Sequence, residues 1–509
     1  MKIKEGCVIL TKLIDKLNEH WIAKANQPIL KDAQNREWLT GSQARHRIDK
    51  IKDEFKTIGI TTGAVVTISL PNDINYPLVN QALWELGAIG HLVAPSTALI
   101  EIEREVNEYG YFGAITLVNR PTTNVTNCWR ETTIINKKWS IFINHKHIKN
   151  MVMSGTELDT ALILNTSGTT GKPKRVALSH QQLLKSAQHI VTSQKLTSQE
   201  TTMVVMPLFH INATVISTLA TFVSGGNLVI TDKFSASKFW SQVAEHHVTW
   251  ISLVPTIISI LLLNEQARNE YGKEKNKLQL RYVRSASFSL PEERWHAFEQ
   301  MFGIPVIEGY GMTEAASLIT LNPFNHPKIG SVGIPIATEV QLMVDGKLTN
   351  ESGMTGEIAL KGDHVITSYL DPAPHAFADK WLLTGDVGRF DTEGYLYIIG
   401  RVKEMINRGG EKVSPYAIES IISVLPFIEE VIAVGLPHDL YGEEVALAII
   451  SRDKETPRIK LKNQIENYAT QNLSKPERPT KIFFVHDVPR NPTGKVKRFE
   501  LVKQLLQQS

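Results

Sequence analysis

The sequence predicts an α/β protein: a large N-terminal domain of doubly wound mixed sheets carrying a small β-barrel, and a smaller, mobile α+β C-terminal domain. Three observations lead there. Strand-like and helix-like stretches alternate through roughly the first 330 residues, as parallel α/β units require. Past Gly330 the texture changes to short strands broken by Gly, Asp and Asn. A second change, at Arg401, opens a compact segment of mixed strands and helices. A chain of 509 residues also exceeds one ordinary domain several-fold, giving a prior of about three structural units.

In chain order, 51–58 reads as helix, 64–70 (AVVTISL) as strand and 78–86 as helix. Further strands are expected at 114–118, 160–164, 202–206, 228–230 and 250–254. The apolar window 248–263 is too short to span a bilayer and carries Pro255 near its middle, so it reads as a buried strand followed by a helix. The charged run 271–277 (YGKEKNK) reads as a solvated loop. Strands at 339–344, 356–361, 381–383 and 395–399 make a barrel or small antiparallel sheet, the barrel-like part at about 330–400. After it, Ser414 is placed to cap a helix that begins at Pro415 and shows Ile418, Ile421, Ile422 and Leu425 on one face. Strands at 431–435, 445–450 and 481–485 and a helix at 461–471 complete the last unit. The expected domains are therefore 1–401 and 402–509, joined by a connection short enough to act as a hinge.

Composition excludes several classes of function. Lys and Arg number 55 against 52 Asp and Glu, a net charge of +3, so no broad field favours a nucleic-acid or membrane-surface partner. The two cysteines, Cys7 and Cys128, have neither disulfide-framework nor zinc spacing, which fits a reducing compartment. The apolar run 7–10 is interrupted too soon, by Lys12 and Asp15, for a signal peptide, and the C-terminal Gln507-Gln508-Ser509 matches no lipidation signal. A cytoplasmic protein without a transmembrane segment is expected.

The strongest chemical signal is 162–174, LILNTSGTTGKPK. An apolar strand runs into Thr166, Ser167, Gly168, Thr169, Thr170 and Gly171, and then Lys172 and Lys174 flank Pro173. Small hydroxyl residues and glycines present N–H and O–H donors with little bulk, which suits a polyphosphate. The spacing is not that of a Walker A loop, which needs GxxxxGK[ST]. A plain surface turn is the competing reading, and the strand directly before the loop weighs against it.

TSGTTGKPK resembles the phosphate loop of the adenylate-forming superfamily, which includes acyl-CoA synthetases, adenylation domains and luciferases. Four further motifs follow in that family's order: Gly309-Tyr310-Gly311-Met312-Thr313-Glu314, Thr384-Gly385-Asp386, Gly400-Arg401 and Pro492-Thr493-Gly494-Lys495. Each alone is weak, and a TE pair, a TGD turn or a basic stretch such as 495–498 is ordinarily structural or solvated. Their order carries the resemblance.

The resemblance implies ATP-dependent activation of a small-molecule carboxylic acid in two half-reactions, giving first acyl-AMP and pyrophosphate and then acyl-CoA and AMP. Thr166 to Lys174 would hold phosphates. Thr313 and Glu314 would serve catalysis, with Glu314 on Mg²⁺. Gly309, Tyr310, Gly311, Ser287 and Phe288 would border adenine and acid. Asp386 would accept from the ribose hydroxyls, assisted by Arg401. Lys495 would bridge the carboxylate and α-phosphate oxygens, and His210 would border the acyl channel. Rotation of 402–509 about Lys403 would then replace Lys495 by the face bearing Gly409, Gly410 and Lys412, where CoA enters.

The stretches 406–415 (INRGGEKVSP) and 440–444 are especially similar to oxalate–CoA ligase-like members. Phe288, Ser317 and Ala213 depart from their pattern, so a different small or medium carboxylate is expected. The alternative acceptor is the phosphopantetheine of an acyl carrier protein, and no carrier domain follows Lys495.

Overall fold

The structure is a computed structural model that describes residues 11–34, 38–118, 129–134, 139–144, 148–166, 174–490 and 496–508. The chain divides into two compact units, Met1–Glu339 with Leu360–Leu382, and Val340–Ala359 with Leu383–Ser509.

The first unit is built on two mixed sheets. In the seven-stranded one, Val65–Ser69 lies parallel to both Ile89–Leu92 and Gly113–Leu117, and Ile89–Leu92 lies parallel to Thr160–Thr166. Every residue of Val65–Ser69 is buried, as an apolar strand covered on both faces must be. Thr160–Thr166 turns back antiparallel as Lys174–Ser179, with Thr166 opposite Lys174. The candidate phosphate loop therefore joins the ends of a β-hairpin.

In the nine-stranded sheet, Asn227–Ile230, Thr201–Val204, Trp250–Leu253, Tyr282–Ser285 and Val306–Met312 run parallel in that spatial order, and Ser317–Leu321 pairs antiparallel with the last. One face is sealed by a core in which Ile251, Leu253, Val283 and Val306 meet Trp240, Ile258, Trp295 and Phe298. A π-helix, Asn212–Leu219, lies against Trp250–Leu253 and Ser317–Leu321. The window 248–263 divides as expected into the strand Trp250–Leu253 and the helix Pro255–Leu263, with Pro255 in the first turn, where no N–H is required of it. The run 271–277 is a correction. It is helical, forming the end of Glu265–Glu274 and the 3₁₀ turn Lys275–Lys277, because Asn264 caps the helix and the Tyr271 hydroxyl anchors it on the Phe302 carbonyl at 2.7 Å.

The barrel expected at about 330–400 is also corrected, to an open sheet. Its spatial order is Lys347–Thr349, Glu339–Val344, Thr355–Lys361 and Trp381–Phe390, with Phe377–Ala378 and Leu396–Arg401 both on the last strand. Closure needs the outer strands to pair with each other, and among the described residues Lys347–Thr349 and Leu396–Arg401 have one partner strand each.

The C-terminal residues fold around a five-stranded sheet. Ser414 caps the helix Pro415–Ile422 by accepting from the Ala417 N–H, and Ile418 and Ile422 are buried on the expected face. Ile428–His438 and Gly442–Ser451 alternate between two cores: Val431, Ala433, Val445 and Leu447 face Ile418 and Ile465, while Ile432, Val434, Ala446 and Ala448 face Leu501 and Leu505. Arg498 ties the last helix, Arg498–Leu506, to this sheet. It gives two hydrogen bonds to the Glu419 carboxylate (2.7 and 3.1 Å), one to the Ala433 carbonyl (2.6 Å) and one to Glu404 (3.1 Å). Burial pushes the Glu419 carboxyl up and Arg498 opposes that, so losing the guanidinium strands a buried acid. Arg498→Met should therefore destabilise this unit by about 3 kcal/mol in chemical denaturation; a loss of a few tenths would mean that the contacts are too solvated to matter.

Candidate active site

The site begins with a backbone constraint. Ser317–Leu321 returns so close to Val306–Met312 that a Cβ on Gly311 would lie 1.7 Å from the Ser317 carbonyl oxygen, and one on Gly309 would lie 2.7 Å from that of Thr320. Both positions therefore need glycine. Between the strands the chain makes a 3₁₀ turn, Thr313–Ala315, and passes through left-handed backbone at Ala316 (φ 46°) and Ser317 (φ 116°), a strained path for residues with a Cβ.

That turn carries Glu314 inward, to 7% exposure. Its Oε1 accepts from the Tyr369 hydroxyl at 2.9 Å, and its carbonyl accepts from the Ile366 N–H at 2.8 Å. Burial and the neighbouring carboxylate push the Tyr369 phenol far up, so it is a neutral donor. The Lys174 ammonium stands 4.6 Å from the centre of the Tyr369 ring. Next to it, Arg175 clamps Asp371, with its Nη2 2.6 Å from Oδ1 and its backbone N–H 2.8 Å from Oδ2, while its guanidinium lies 3.3 Å from the centre of the Tyr109 ring. Lys174, Tyr369 and Glu314 are thus brought together at the foot of the phosphate-loop hairpin.

His210 lies in the turn before the π-helix, half-buried, with its ring 4.1 Å from that of Phe209. Asn72 fixes this turn: it donates to the carbonyls of Met206 and Thr231, both at 3.0 Å, and accepts from the Leu208 N–H at 2.7 Å. Ser287 (φ 78°) and Phe288 follow the strand Tyr282–Ser285, and Phe288 is 41% exposed. Two ionisable side chains lie deeper in this sheet, Arg284 at 1% and Glu308 at 2% exposure. Glu308 accepts from the Leu290 N–H at 2.8 Å, and burial pushes its carboxyl up to about 8.

In the second unit, Asp386 is buried at 6% exposure, and the Arg401 Nε donates to its Oδ1 at 2.8 Å across the antiparallel pair Asp386↔Arg401. Arg401 is followed by a turn in which the Glu404 and Met405 N–H groups both reach its carbonyl, with Lys403 exposed between them. Gly409 (φ 64°) and Gly410 (φ 92°) form the two-residue turn of the hairpin Ile406–Arg408/Glu411–Val413, and Lys412 is exposed on its return strand.

Of the residues singled out from sequence, Thr166, Lys174, Gly309, Tyr310, Gly311, Thr313, Glu314, His210, Ser287 and Phe288 fall in the first unit, and Asp386, Arg401, Lys403, Gly409, Gly410 and Lys412 in the second. Ser167, Gly168, Thr169, Thr170, Gly171, Lys172 and Lys495 lie outside the described residues. Sequence reasoning missed Tyr369, Arg175, Asp371 and Asn72, which sit in no motif. Only Arg175, a cation directly after the loop lysines, left a trace in the sequence.

The donor set fits magnesium: Glu314 is a carboxylate with one oxygen fixed by a neutral phenol, and a hard cation with few protein ligands takes its remaining ligands from phosphate and water. Elsewhere in this unit, ligand atoms of His189, Asp363 and His364 lie within 4.8 Å of one another, with Lys185 already 3.5 Å from the Asp363 carboxylate.

The buried acid yields a test. Glu308 binds its proton more tightly folded than unfolded, so its stabilisation is complete below about pH 4.5 and is lost as pH rises through about 8. Glu308→Gln keeps the carbonyl acceptor and removes the ionisation. The melting temperature of this variant should exceed that of wild type at pH 8.5 by about 2 °C or more and approach it at pH 5; parallel pH profiles would show that Glu308 stays ionised.

Residues 18–370 match the AMP-binding enzyme family, and 417–495 match the AMP-binding enzyme C-terminal domain. The oxalate–CoA ligase of Arabidopsis thaliana is 31% identical over 88% of this chain and 90% of its own length. The sulfoacetate–CoA ligase of Cupriavidus necator is 38% identical over 67% of this chain and 66% of its own. In fold, the chain is similar to the anthranilate CoA ligase AuaEII solved with anthranoyl-AMP, at a TM-score of 0.86 and 22% identity over the full length of both chains. The ordered motifs, the Lys174–Tyr369–Glu314 assembly and these likenesses converge: the chain belongs to the AMP-binding enzyme family.

Proposed function

We propose that this protein is an ATP-dependent carboxylate–CoA ligase of the acid–thiol class. The observation that carries the reading is the meeting of Lys174, the Tyr369 hydroxyl and the buried Glu314 carboxylate beside the phosphate-loop hairpin. A cation and a magnesium-type carboxylate next to a loop of small donors serve one purpose well, the handling of a polyphosphate.

A carboxylate is a poor acyl donor because its leaving group is an oxide, so it must first be converted to a mixed anhydride. One carboxylate oxygen attacks the α-phosphorus of ATP, the bond from that phosphorus to the bridging oxygen breaks, and pyrophosphate leaves with the electron pair. In this reading the loop 166–174 cradles the β- and γ-phosphates, and Lys174 balances their charge. Glu314, oriented by Tyr369, would hold Mg²⁺, which would supply charge neutralisation at the phosphates. Asp386, held by Arg401, accepts from the ribose hydroxyls, and Tyr310 lies against the adenine. His210 and Phe288 border the acid. Lys495 bridges the attacking carboxylate and the α-phosphate.

The second half-reaction needs a thiol where Lys495 stood. Residues 402–509 turn about Lys403 and bring forward the tight Gly409–Gly410 hairpin, past which a thin pantetheine arm can run, with Lys412 near a phosphate. The thiol sulfur then attacks the acyl carbon, AMP departs and acyl-CoA forms. A cytoplasmic setting supplies ATP, magnesium and CoA together.

The direct test is ATP-dependent pyrophosphate release over a panel of carboxylic acids, with and without CoA. Stimulation by CoA with a thioester product is expected; release indifferent to CoA, with persistent acyl-AMP, would make a carrier-protein phosphopantetheine the acceptor. Lys495→Ala should slow adenylation by at least about 100-fold while thioester formation from supplied acyl-AMP continues, and equal loss of both half-reactions would refute the two-position scheme. Asp386→Ala should weaken ATP binding by about tenfold or more in calorimetry; unchanged affinity removes the ribose role.

A further inference from the structure

Arg284 is a cation sealed into a sheet, with no ion pair among the described residues. It sits on the strand Tyr282–Ser285 at 1% exposure, and its Nε and Nη1 atoms have no hydrogen-bond partner among the described residues. Burial lowers its pKa to about 10, which leaves the guanidinium charged at neutral pH. A charged group in such a place is costly until an acceptor meets it, and an anion is the acceptor that offsets its charge as well.

Among the described residues none is paired with it as that anion. Glu308, on the adjacent strand, pairs in register with Ser285, so its side chain leaves the sheet on the opposite face from Arg284, and it is engaged by the Leu290 N–H. Among the described residues, the group that favours the charged form of Arg284 is Tyr282, whose hydroxyl donates to Gln194 at 3.1 Å.

The surroundings show where an anion can come from. Val283 points into the apolar core on one face, so Arg284 points to the other, the face that carries the π-helix. Its register partner Ser252 donates there to Asn212, the first residue of that helix and two places after His210. Arg284 Nη2 would stand 3.3 Å from a Cβ on Gly309. Ser285 ends the strand that delivers Ser287 and Phe288. His210, Phe288 and Gly309 are the residues that border the acid in the ligase reading, and the orphaned guanidinium lies among the elements that carry them.

We propose, resting on that reading, that the acid activated here is a small dianion, whose second anionic group, a carboxylate or a sulfonate, is bound by Arg284 while its first carboxylate is adenylated. A site built around a buried donor rejects the analogue that lacks the acceptor far more strongly than a greasy pocket rejects a missing methylene. Arg284 is then the residue that sets substrate specificity.

Pyrophosphate release by the full chain with ATP and CoA would be compared across matched acids: malonate against propionate, succinate against butyrate, and sulfoacetate against propionate. A dianion should exceed its uncharged-tail partner in kcat/KM by at least about 100-fold, and the malonate and sulfoacetate arms identify the anion. Arg284→Met should shrink that ratio to below about tenfold, chiefly by raising KM for the dianion, and Arg284→Lys should restore part of it. Wild type favouring the monoanions would overturn the assignment by itself, whether or not the variants fold. So would an Arg284→Met enzyme that folds and keeps the dianion preference. Release with no acid at all would instead sink the ligase reading, and this inference with it.

Discussion

The candidate site depends on one steric constraint, the near contact of two backbones at Gly311 and Ser317. No side chain fits between them, so the hairpin closes tightly and the chain must leave it through a 3₁₀ turn and two left-handed residues. The outcome is a carboxylate, Glu314, held inside the protein with one oxygen already committed to a phenol. A looser turn would let Glu314 swing to solvent, where it would be an ordinary surface acid. The strain at Ala316 and Ser317 is stored where a rigid carboxylate is needed.

A second hairpin answers the first. Thr160–Thr166 and Lys174–Ser179 present the ends of the candidate phosphate loop in register, and the Arg175–Asp371 clamp ties that hairpin to the segment that supplies Tyr369. Tyr369 joins the two assemblies: its hydroxyl orients Glu314 and its ring face receives Lys174. A cation and a carboxylate thus meet the same neutral phenol, one at its ring face and the other at its hydroxyl.

These relations explain what could be read from the chain and what could not. The strands were legible because apolar runs such as 64–70 and the break at Pro255 are local signals, and the cap at Ser414 needed only its neighbours. Motif residues were legible because five short motifs follow one another in a single family's order, although each alone is ordinarily structural or solvated. Tyr369, Asn72 and Asp371 were not, since each acts on residues 55, 136 and 196 positions away in sequence. The run 271–277 was misread because charge density says that a segment is wet and says nothing about whether it is helical. The barrel was misread because a strand pattern does not reveal whether the outer strands meet.

Arg284 and Glu308 are the sharpest contrast in the sheet. They occupy neighbouring strands and are equally buried, yet they are not a salt bridge, because the pleat sends them to opposite faces. Glu308 escapes its predicament by holding a proton, and burial moves its pKa far enough to allow that. Arg284 has no such exit, since even a lowered guanidinium pKa stays above neutrality. Of two buried charges, one can be neutralised by its own proton and the other meets no anion among the described residues, and it is the second that faces the elements around His210 and Gly309.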